Sequence, residues 1–120
     1  MTLARTGAIL GFLAVALGAF GAHGLEGRLS ADLMDTYHTA AHYHLIHALA
    51  MIAATWALER GGGRAARLAG WGFGLGTLVF SGSLYLLAIT GARWLGAITP
   101  LGGLLFLAGW VALAVACGRR

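Results

Sequence analysis

The chain has one cysteine, one proline, little charge, and no polar stretch long enough to form a soluble domain. A single cysteine, Cys117, excludes an internal disulfide and a CxxC redox pair, and with them quinone-coupled disulfide chemistry. Only 10% of the 120 residues are charged, whereas 59% are hydrophobic, and the mean hydropathy is +0.81. No complete catalytic constellation is present, so we expect a protein that is not an enzyme.

Four apolar stretches fill the sequence, and each is long enough to cross a ~30 Å hydrocarbon layer as a helix. They cover residues 4–22, 37–58, 68–90 and 100–117. Only helices and closed barrels satisfy the backbone hydrogen bonds in lipid, and none of the stretches shows the period of two that is typical of a barrel strand. The sequence therefore predicts an all-α fold, a four-helix transmembrane bundle that forms one domain over residues 1–120.

The eight basic residues are all arginines, and six of them fall on one side of the predicted membrane. These six are Arg5, Arg60, Arg64, Arg67, Arg119 and Arg120. Because cytoplasmic flanks are rich in arginine, we predict that both termini are cytoplasmic. The same distribution favours a retained first span over a cleaved secretory signal, and it does not form the basic face that nucleic acid would need.

Small residues recur every three or four positions in three of the predicted spans, which places them in one stripe on each helix. In lipid such stripes let backbones approach closely, so we expect close packing through them. They comprise Gly7, Gly11, Ala14, Gly18 and Ala22 in the first span, Gly70, Gly74, Thr77 and Ser81 in the third, and Gly102, Gly109, Ala112 and Ala116 in the fourth. Four short helices bury little surface, so we also expect a homo-oligomer surrounded by membrane lipids.

Local signals predict where individual helices begin and end. Ser30 precedes an acidic first turn, which predicts an N-cap there and a second helix that begins near Ala31. Three consecutive glycines after Arg60 predict a tight turn. Thr99 and Pro100 are expected to be the N-cap and the first residue of the last helix.

All five histidines lie within residues 23–47, and four of them fall on the second predicted helix. At ~100° per residue, Asp35, His38 and His42 fall within about 60° of one another. Two imidazoles at positions i and i+4 beside a carboxylate have the spacing of a metal site, which His23 and Glu26 of the preceding loop would help to close. The alternative is that these histidines only cap loops or bond to neighbouring helices.

A second polar feature lies deeper in the predicted membrane, because His44 and His47 point to another sector of the same helix. An ionisable side chain at that depth is by default a candidate functional residue, although a neutral histidine also serves to pack helices. Hydroxyl groups of the third span lie at the same level and are expected to bond to it. The candidate polar cluster comprises His23, Tyr43, His44, His47, Ser81, Ser83 and Tyr85.

Four segments, in this order, resemble the YgdD-like family of small four-span membrane proteins. They are GAFGAHGL at 18–25, YHTAAHYHLIHALA at 37–50, FSGSLYLLAITG at 80–91 and GAITPLGGLLFLAGW at 96–110. The resemblance covers nearly the whole chain and implies a four-helix protein of a bacterial-type inner (plasma) membrane, with no assigned biochemical role or cofactor. The family's motif positions correspond to His23, Tyr43, His44, His47, Ser81, Ser83, Tyr85, Thr99 and Pro100.

Three functions compete for the polar cluster. The first is binding of a small ligand, either a proton, a metal ion or a lipid headgroup, in the outer half of the bundle. The second is a structural scaffold or assembly factor in which the polar groups only lock the helices. The third, a bis-histidine haem protein, is disfavoured because axial ligation needs histidines on facing helices. Proton-coupled multidrug antiport of the small four-span type is disfavoured as well, since such a transporter needs a carboxylate within the membrane and no span contains one.

Overall fold

A computed structural model of the chain describes residues 2–118, and this part of the chain contains helices and no β-strand. The all-α prediction is confirmed. The α-helices of that range are α1 (Leu3–Gly24), α2 (Ala31–Ala57), α3 (Gly63–Gly76), α4 (Gly82–Thr90) and α5 (Thr99–Gly118). Two π-helical turns, Leu58–Gly62 and Thr77–Ser81, connect α2 to α3 and α3 to α4, and a 3₁₀ turn, Arg93–Ala97, precedes α5.

Three helical segments of residues 2–118 are long and apolar enough to cross a membrane, namely Leu3–Gly24, Ala31–Thr90 and Arg93–Gly118. The sequence predicted four separate spans. The structure has three segments because helical hydrogen bonding continues through residues 58–62, which joins the second and third predicted spans. A straight helix of 60 residues would be ~90 Å long, whereas the longest dimension of the molecule is 51 Å. The middle segment therefore folds back on itself.

The reversal occurs at Arg60 and Gly61, whose backbone angles are not helical. Gly61 has a φ of +92° and Gly63 a φ of +62°, in a region that residues with a Cβ atom rarely adopt. The predicted glycine turn after Arg60 is thus confirmed. After the turn α3 packs along α2, while α1 packs on α2 and α5 packs on α3.

The other helix ends agree with the sequence in part. The predicted start of α2 is confirmed, because the Ser30 hydroxyl accepts a hydrogen bond from the Leu33 amide at 3.2 Å. The predicted start of α5 is wrong by one residue, since Thr99 is already helical and its hydroxyl contacts Ser83 instead of capping the helix. Helix α1 extends past His23, which lies in its last turn and not in the following loop.

Glycines allow the helices to approach closely at several points. A Cβ atom added to Gly72 in α3 would lie 3.4 Å from the Cα atom of Gly109 in α5, so the two backbones are in contact. Gly7 of α1 is packed equally tightly against α2, where the Ala48 carbonyl would lie 3.1 Å from an added Cβ. Gly18 has no such neighbour within 4 Å. The stripe predicted on α1 therefore contacts α2 only over its first part.

The apolar core lies in the half of the molecule that contains the turn at Arg60. It is built mainly from alanines, which keeps the helices close together. Its buried members are Leu3, Ala50, Met51, Ala54, Ala57, Ala66, Ala69, Phe73, Leu113 and Ala116. The polar side chains of α2 lie beyond this core, towards the N-terminal end of that helix.

Candidate polar cluster

His47 lies among aromatic rings between α2 and α5. Its imidazole stacks on the Phe106 ring, with centroids 3.5 Å apart and planes 7° apart, and the Tyr43 ring is nearly parallel to both. The Tyr43 carbonyl, which can only accept, lies 2.7 Å from Nδ1, and the Trp110 indole N–H donates to Nε2 at 3.1 Å. His47 is therefore the neutral Nδ1–H tautomer, and both of its ring nitrogens have partners.

His44 lies one turn earlier on α2 and has a different set of neighbours. Its Nδ1 atom is 2.9 Å from the Tyr85 hydroxyl in α4. Its Nε2 atom is buried and has no hydrogen-bond partner among residues 2–118. The backbone of Leu10 in α1 is near the ring, but it forms no hydrogen bond of acceptable geometry with Nε2. A buried polar atom without a partner is uncommon in proteins, and it marks a position that a ligand, water or proton can occupy.

The two serines of the Ser-Gly-Ser segment connect the third helical stretch to two other helices. Ser81, at the end of the second π-helical turn, donates to the Ala40 carbonyl of α2 at 2.8 Å. The hydroxyls of Ser83 in α4 and Thr99 in α5 lie 2.6 Å apart. Both serines are buried. Their hydroxyl groups are satisfied within the protein.

Tyr37 connects the same region to α1. Its side chain is fully buried, and its hydroxyl donates to the Leu17 carbonyl of α1 at 2.6 Å. Its ring meets the Tyr85 ring edge-on, with centroids 5.2 Å apart. The contacts Tyr37–Tyr85 and Tyr85–His44 thus form a buried path from α1 through α2 to α4.

The residues predicted to bind a metal do not come together with this path. Asp35, His38 and His42 are exposed on α2, and His23 is exposed in the last turn of α1. Within the described residues, no group of three or more histidine, cysteine, aspartate and glutamate side chains is placed to hold a metal ion. Metal binding by these side chains stays a prediction, and the structure does not join them to His44.

An open groove of about 550 Å³ runs beside His47, along the outer face of α5. Aromatic and aliphatic side chains form most of its surface. Because both His47 nitrogens are already engaged, this ring offers an occupant a face but no free hydrogen-bonding atom. The groove is lined by Tyr43, His47, Phe80, Pro100, Gly103, Leu104, Phe106, Leu107 and Trp110.

Sequence reasoning missed Phe106 and Trp110, the two α5 side chains that hold His47. A signal for them existed, because they are four residues apart and therefore lie on one face of the helix. Gly102 precedes Phe106 by the same interval, and it belongs to the small-residue stripe that the sequence predicted to face other helices. An aromatic residue and an indole donor on that face were candidates to contact the buried histidines.

Comparison with known proteins places the chain in a family. A family described as "Protein of unknown function (DUF423)" matches residues 17–103. The UPF0382 membrane protein YwdK of Bacillus subtilis (strain 168) is 45% identical over 111 residues, which cover 92% of this chain and 90% of YwdK. The UPF0382 inner membrane protein YgdD of Escherichia coli (strain K12) is 41% identical over 118 residues, which cover 93% and 86% of the two chains.

No solved structure matches the chain. The relatives' names and the apolar helices confirm that the protein resides in a membrane, and the E. coli relative confirms the expected inner-membrane location. The resemblance that the four sequence segments indicated is confirmed as well. The chain belongs to the DUF423 family of membrane proteins, the YgdD-like family whose motifs it carries.

Proposed function

We propose that the protein crosses the inner membrane four times with both termini in the cytoplasm, and that it binds a small ligand, in the first place a proton, at His44. Helix α2 and the returning residues 63–90 each rise about 40 Å, which is enough to cross the ~30 Å hydrocarbon layer separately. Arg60 lies in the turn between them, which supports a cytoplasmic position for that turn. Arg119 and Arg120, which contribute to the predicted orientation, lie outside the described residues.

The observation that carries this proposal is the buried Nε2 atom of His44, which has no hydrogen-bond partner among residues 2–118. In the interior of a membrane protein, a polar atom without a partner costs free energy, because no bulk water can replace the missing bond. The four acidic residues lie outside the middle of the bundle, and no carboxylate is bonded to Nε2. Among the described residues, His44 is therefore the buried side chain of the cluster with unused binding capacity.

The partners of the two buried histidines also determine which ring can accept a proton. The Tyr85 hydroxyl beside His44 can accept a hydrogen bond from Nδ1–H, so this contact persists when Nε2 takes up a proton. The Trp110 indole beside His47 can only donate, so a proton on Nε2 of His47 would break that bond. We therefore expect His44 to take up a proton before His47.

The second candidate function, a scaffold, is favoured by the hydroxyl groups and by His47. The bonds Ser81 to Ala40 and Trp110 to His47 both join different helices and both are complete within the protein. Groups of this kind lock a bundle without needing a ligand. In this function the protein would stabilise an assembly, either with copies of itself or with another membrane protein.

Nuclear magnetic resonance of ¹⁵N-histidine-labelled protein in nanodiscs distinguishes the two candidates. The His44 and His47 signals are assigned with His44→Gln and His47→Phe, and the exposed His23, His38 and His42 serve as internal references. Between pH 8 and pH 5 we expect the His44 nitrogens to change to the imidazolium pattern while His47 stays neutral. Added Zn²⁺ tests the metal ion as the ligand through the same signals.

If His44 and His47 both stay neutral down to pH 5, and if Zn²⁺ changes neither signal, the ligand proposal is wrong and the scaffold function is the better explanation.

A further inference from the structure

A second pocket, of about 450 Å³, lies at the end of the molecule where α1 begins and α2 ends. Its volume is in the range of sites that bind small molecules. It is separate from His44, because Thr55 lies in the last turn of α2, and Leu58 and Glu59 lie in the turn that contains Arg60. The lining residues are Thr2, Leu3, Ala4, Thr55, Leu58, Glu59, Arg67 and Trp71.

The pocket contains hydrogen-bond donors that suit an anion. The Arg67 guanidinium can only donate. The Thr2 hydroxyl accepts a hydrogen bond from the Arg5 amide at 3.1 Å, so its own proton is free for another acceptor. The amides of Leu3 and Ala4 belong to the first turn of α1, where helical amides have no partner within the helix. A phosphate oxygen has the charge and geometry that these donors bind.

The same pocket contains acceptors that suit a cation with N–H groups. Glu59 contributes a carboxylate. The Thr55 hydroxyl donates its proton to the Met51 carbonyl at 3.1 Å, so towards the pocket it can only accept. A primary ammonium group donates three hydrogen bonds and can satisfy both of these acceptors at once. The pocket is therefore complementary to a ligand that carries a phosphate and a primary amine together.

The remaining wall of the pocket is apolar. Leu58 and the Trp71 ring face it beside the charged groups, and Trp71 is 38% exposed. Tryptophan is enriched where the hydrocarbon of a membrane meets the headgroups. A ligand with an apolar tail next to its charged part would cover this wall, whereas a small water-soluble molecule would leave it bare.

We propose that this pocket binds the headgroup of a zwitterionic aminophospholipid. Arg67 and Thr2 bind its phosphate, Glu59 and Thr55 bind its primary ammonium group, and Trp71 contacts the start of an acyl chain. A lipid with a purely anionic headgroup leaves Glu59 without a partner. A lipid with a quaternary ammonium group has no N–H with which to bond to Glu59 or Thr55.

Native mass spectrometry of the full-length protein in detergent tests this site, because it counts bound lipids one by one. The probes are phosphatidylethanolamine, phosphatidylcholine and phosphatidylglycerol with identical acyl chains. We expect phosphatidylethanolamine to bind about three- to tenfold more tightly than either of the others, the range expected for charge-assisted hydrogen bonds at a partly exposed site.

Two variants should change lipid binding in different ways, one in selectivity and one in affinity. Glu59→Gln should abolish the preference for phosphatidylethanolamine over phosphatidylglycerol, because the group that selects the amine is lost. Arg67→Gln should weaken the binding of all three lipids, because all three carry a phosphate. Arg64→Gln and Glu26→Gln are the matched controls, since these exposed residues do not line the pocket. All four positions are exposed, so the fold should persist, and circular dichroism checks that it does.

Three results would overturn the proposal. The first is equal binding of the three lipids by the unchanged protein. The second is a preference for phosphatidylethanolamine that survives Glu59→Gln. The third is competition by soluble phosphoethanolamine at the same concentration as the lipid, which would make the ligand a water-soluble phosphate ester and leave the apolar wall without a role.

Discussion

Replacing Gly102 with alanine tests how closely α5 approaches the rest of the bundle. A Cβ atom on Gly102 would lie 2.7 Å from the Cα atom of Phe80 and would overlap the Phe80 amide nitrogen. Carbon atoms in contact are normally about 3.5–4.0 Å apart, so the two helices would have to separate by about 1 Å. Two of the three obstructing Phe80 atoms are backbone and the third is Cβ, and none of them can move aside by a change of rotamer.

Overpacking of this kind costs about 1–3 kcal/mol, and we expect Gly102→Ala to lower the free energy of unfolding by that amount. Gly103→Ala is the matched control, because it makes the same chemical change at the next position, where the nearest atom is a Phe80 ring carbon 3.9 Å away. Alanine favours a helix over glycine by up to about 1 kcal/mol, so the control should be neutral or slightly stabilising.

The measurement is unfolding of both variants by sodium dodecyl sulfate in mixed micelles, followed by circular dichroism. The contact between α5 and the Phe80 backbone predicts a large difference in unfolding free energy between the Gly102→Ala and Gly103→Ala variants. If Gly102→Ala and Gly103→Ala unfold at the same detergent fraction, the close approach does not limit stability and this reasoning is refuted.

Three further changes test the polar contacts and the orientation. Ser81→Ala removes the bond to the Ala40 carbonyl and should lower the free energy of unfolding by about 0.5–1 kcal/mol, as measured for bonds between membrane helices. Trp110→Phe keeps a ring but removes the donor to His47, and should cost about 1 kcal/mol in the same unfolding assay. Of two reporter enzymes fused after Arg120, one that is active only in the cytoplasm and one that is active only outside it, the first should be active and the second inactive.

Each of the two substitutions has its own control, and each of the three changes has a contrary result. Thr39→Ala removes an exposed hydroxyl that bonds only within its own helix, and it should have a smaller effect than Ser81→Ala. Trp94→Phe alters a tryptophan that is 67% exposed, so it should not change stability. Equal losses in a variant and its control would contradict the assigned contact. If the reporter that is active only outside the cytoplasm is active at the C-terminus, the proposed orientation is wrong.

The parts of the fold that the sequence predicted well depend on local chemistry. Ser30 caps α2 because a short hydroxyl side chain can reach an amide three residues ahead, whatever surrounds the helix. The turn at Gly61 follows from the lack of a Cβ atom, which is a property of that residue alone. Such features can be read from a few neighbouring residues.

The features that the sequence did not predict depend on packing between distant segments. The π-helical turn Thr77–Ser81 lies inside an apolar stretch, and none of its own five residues is a glycine or a proline. Its last residue bonds to α2, and Phe80 within it meets Gly102 of α5. The local winding of this helix is therefore coupled to two partners that are far away in sequence, which periodicity cannot reveal.

The candidate site, like the fold, was predictable only in part. The composition and depth of the spans were sufficient to select His44 and His47 as buried polar residues. Of the third-span hydroxyl groups expected to bond to them, Tyr85 contacts His44, whereas Ser81 and Ser83 bond to other groups. The side-chain partner of His47 depends on the rotation of α5 about its axis, which the sequence pattern leaves open. For that reason Trp110 was missed, although it determines the tautomer of His47.

Burial alone does not separate the two histidines, because both lie one turn apart on α2 and both are 4% exposed. Their partners do separate them, since an indole only donates whereas a hydroxyl can also accept. Trp110→Phe would free Nε2 of His47 and give it the unused binding capacity that His44 has. If a ring nitrogen without a hydrogen-bond partner makes a buried histidine a proton site, the His47 ring should take up a proton in this variant when the pH is lowered.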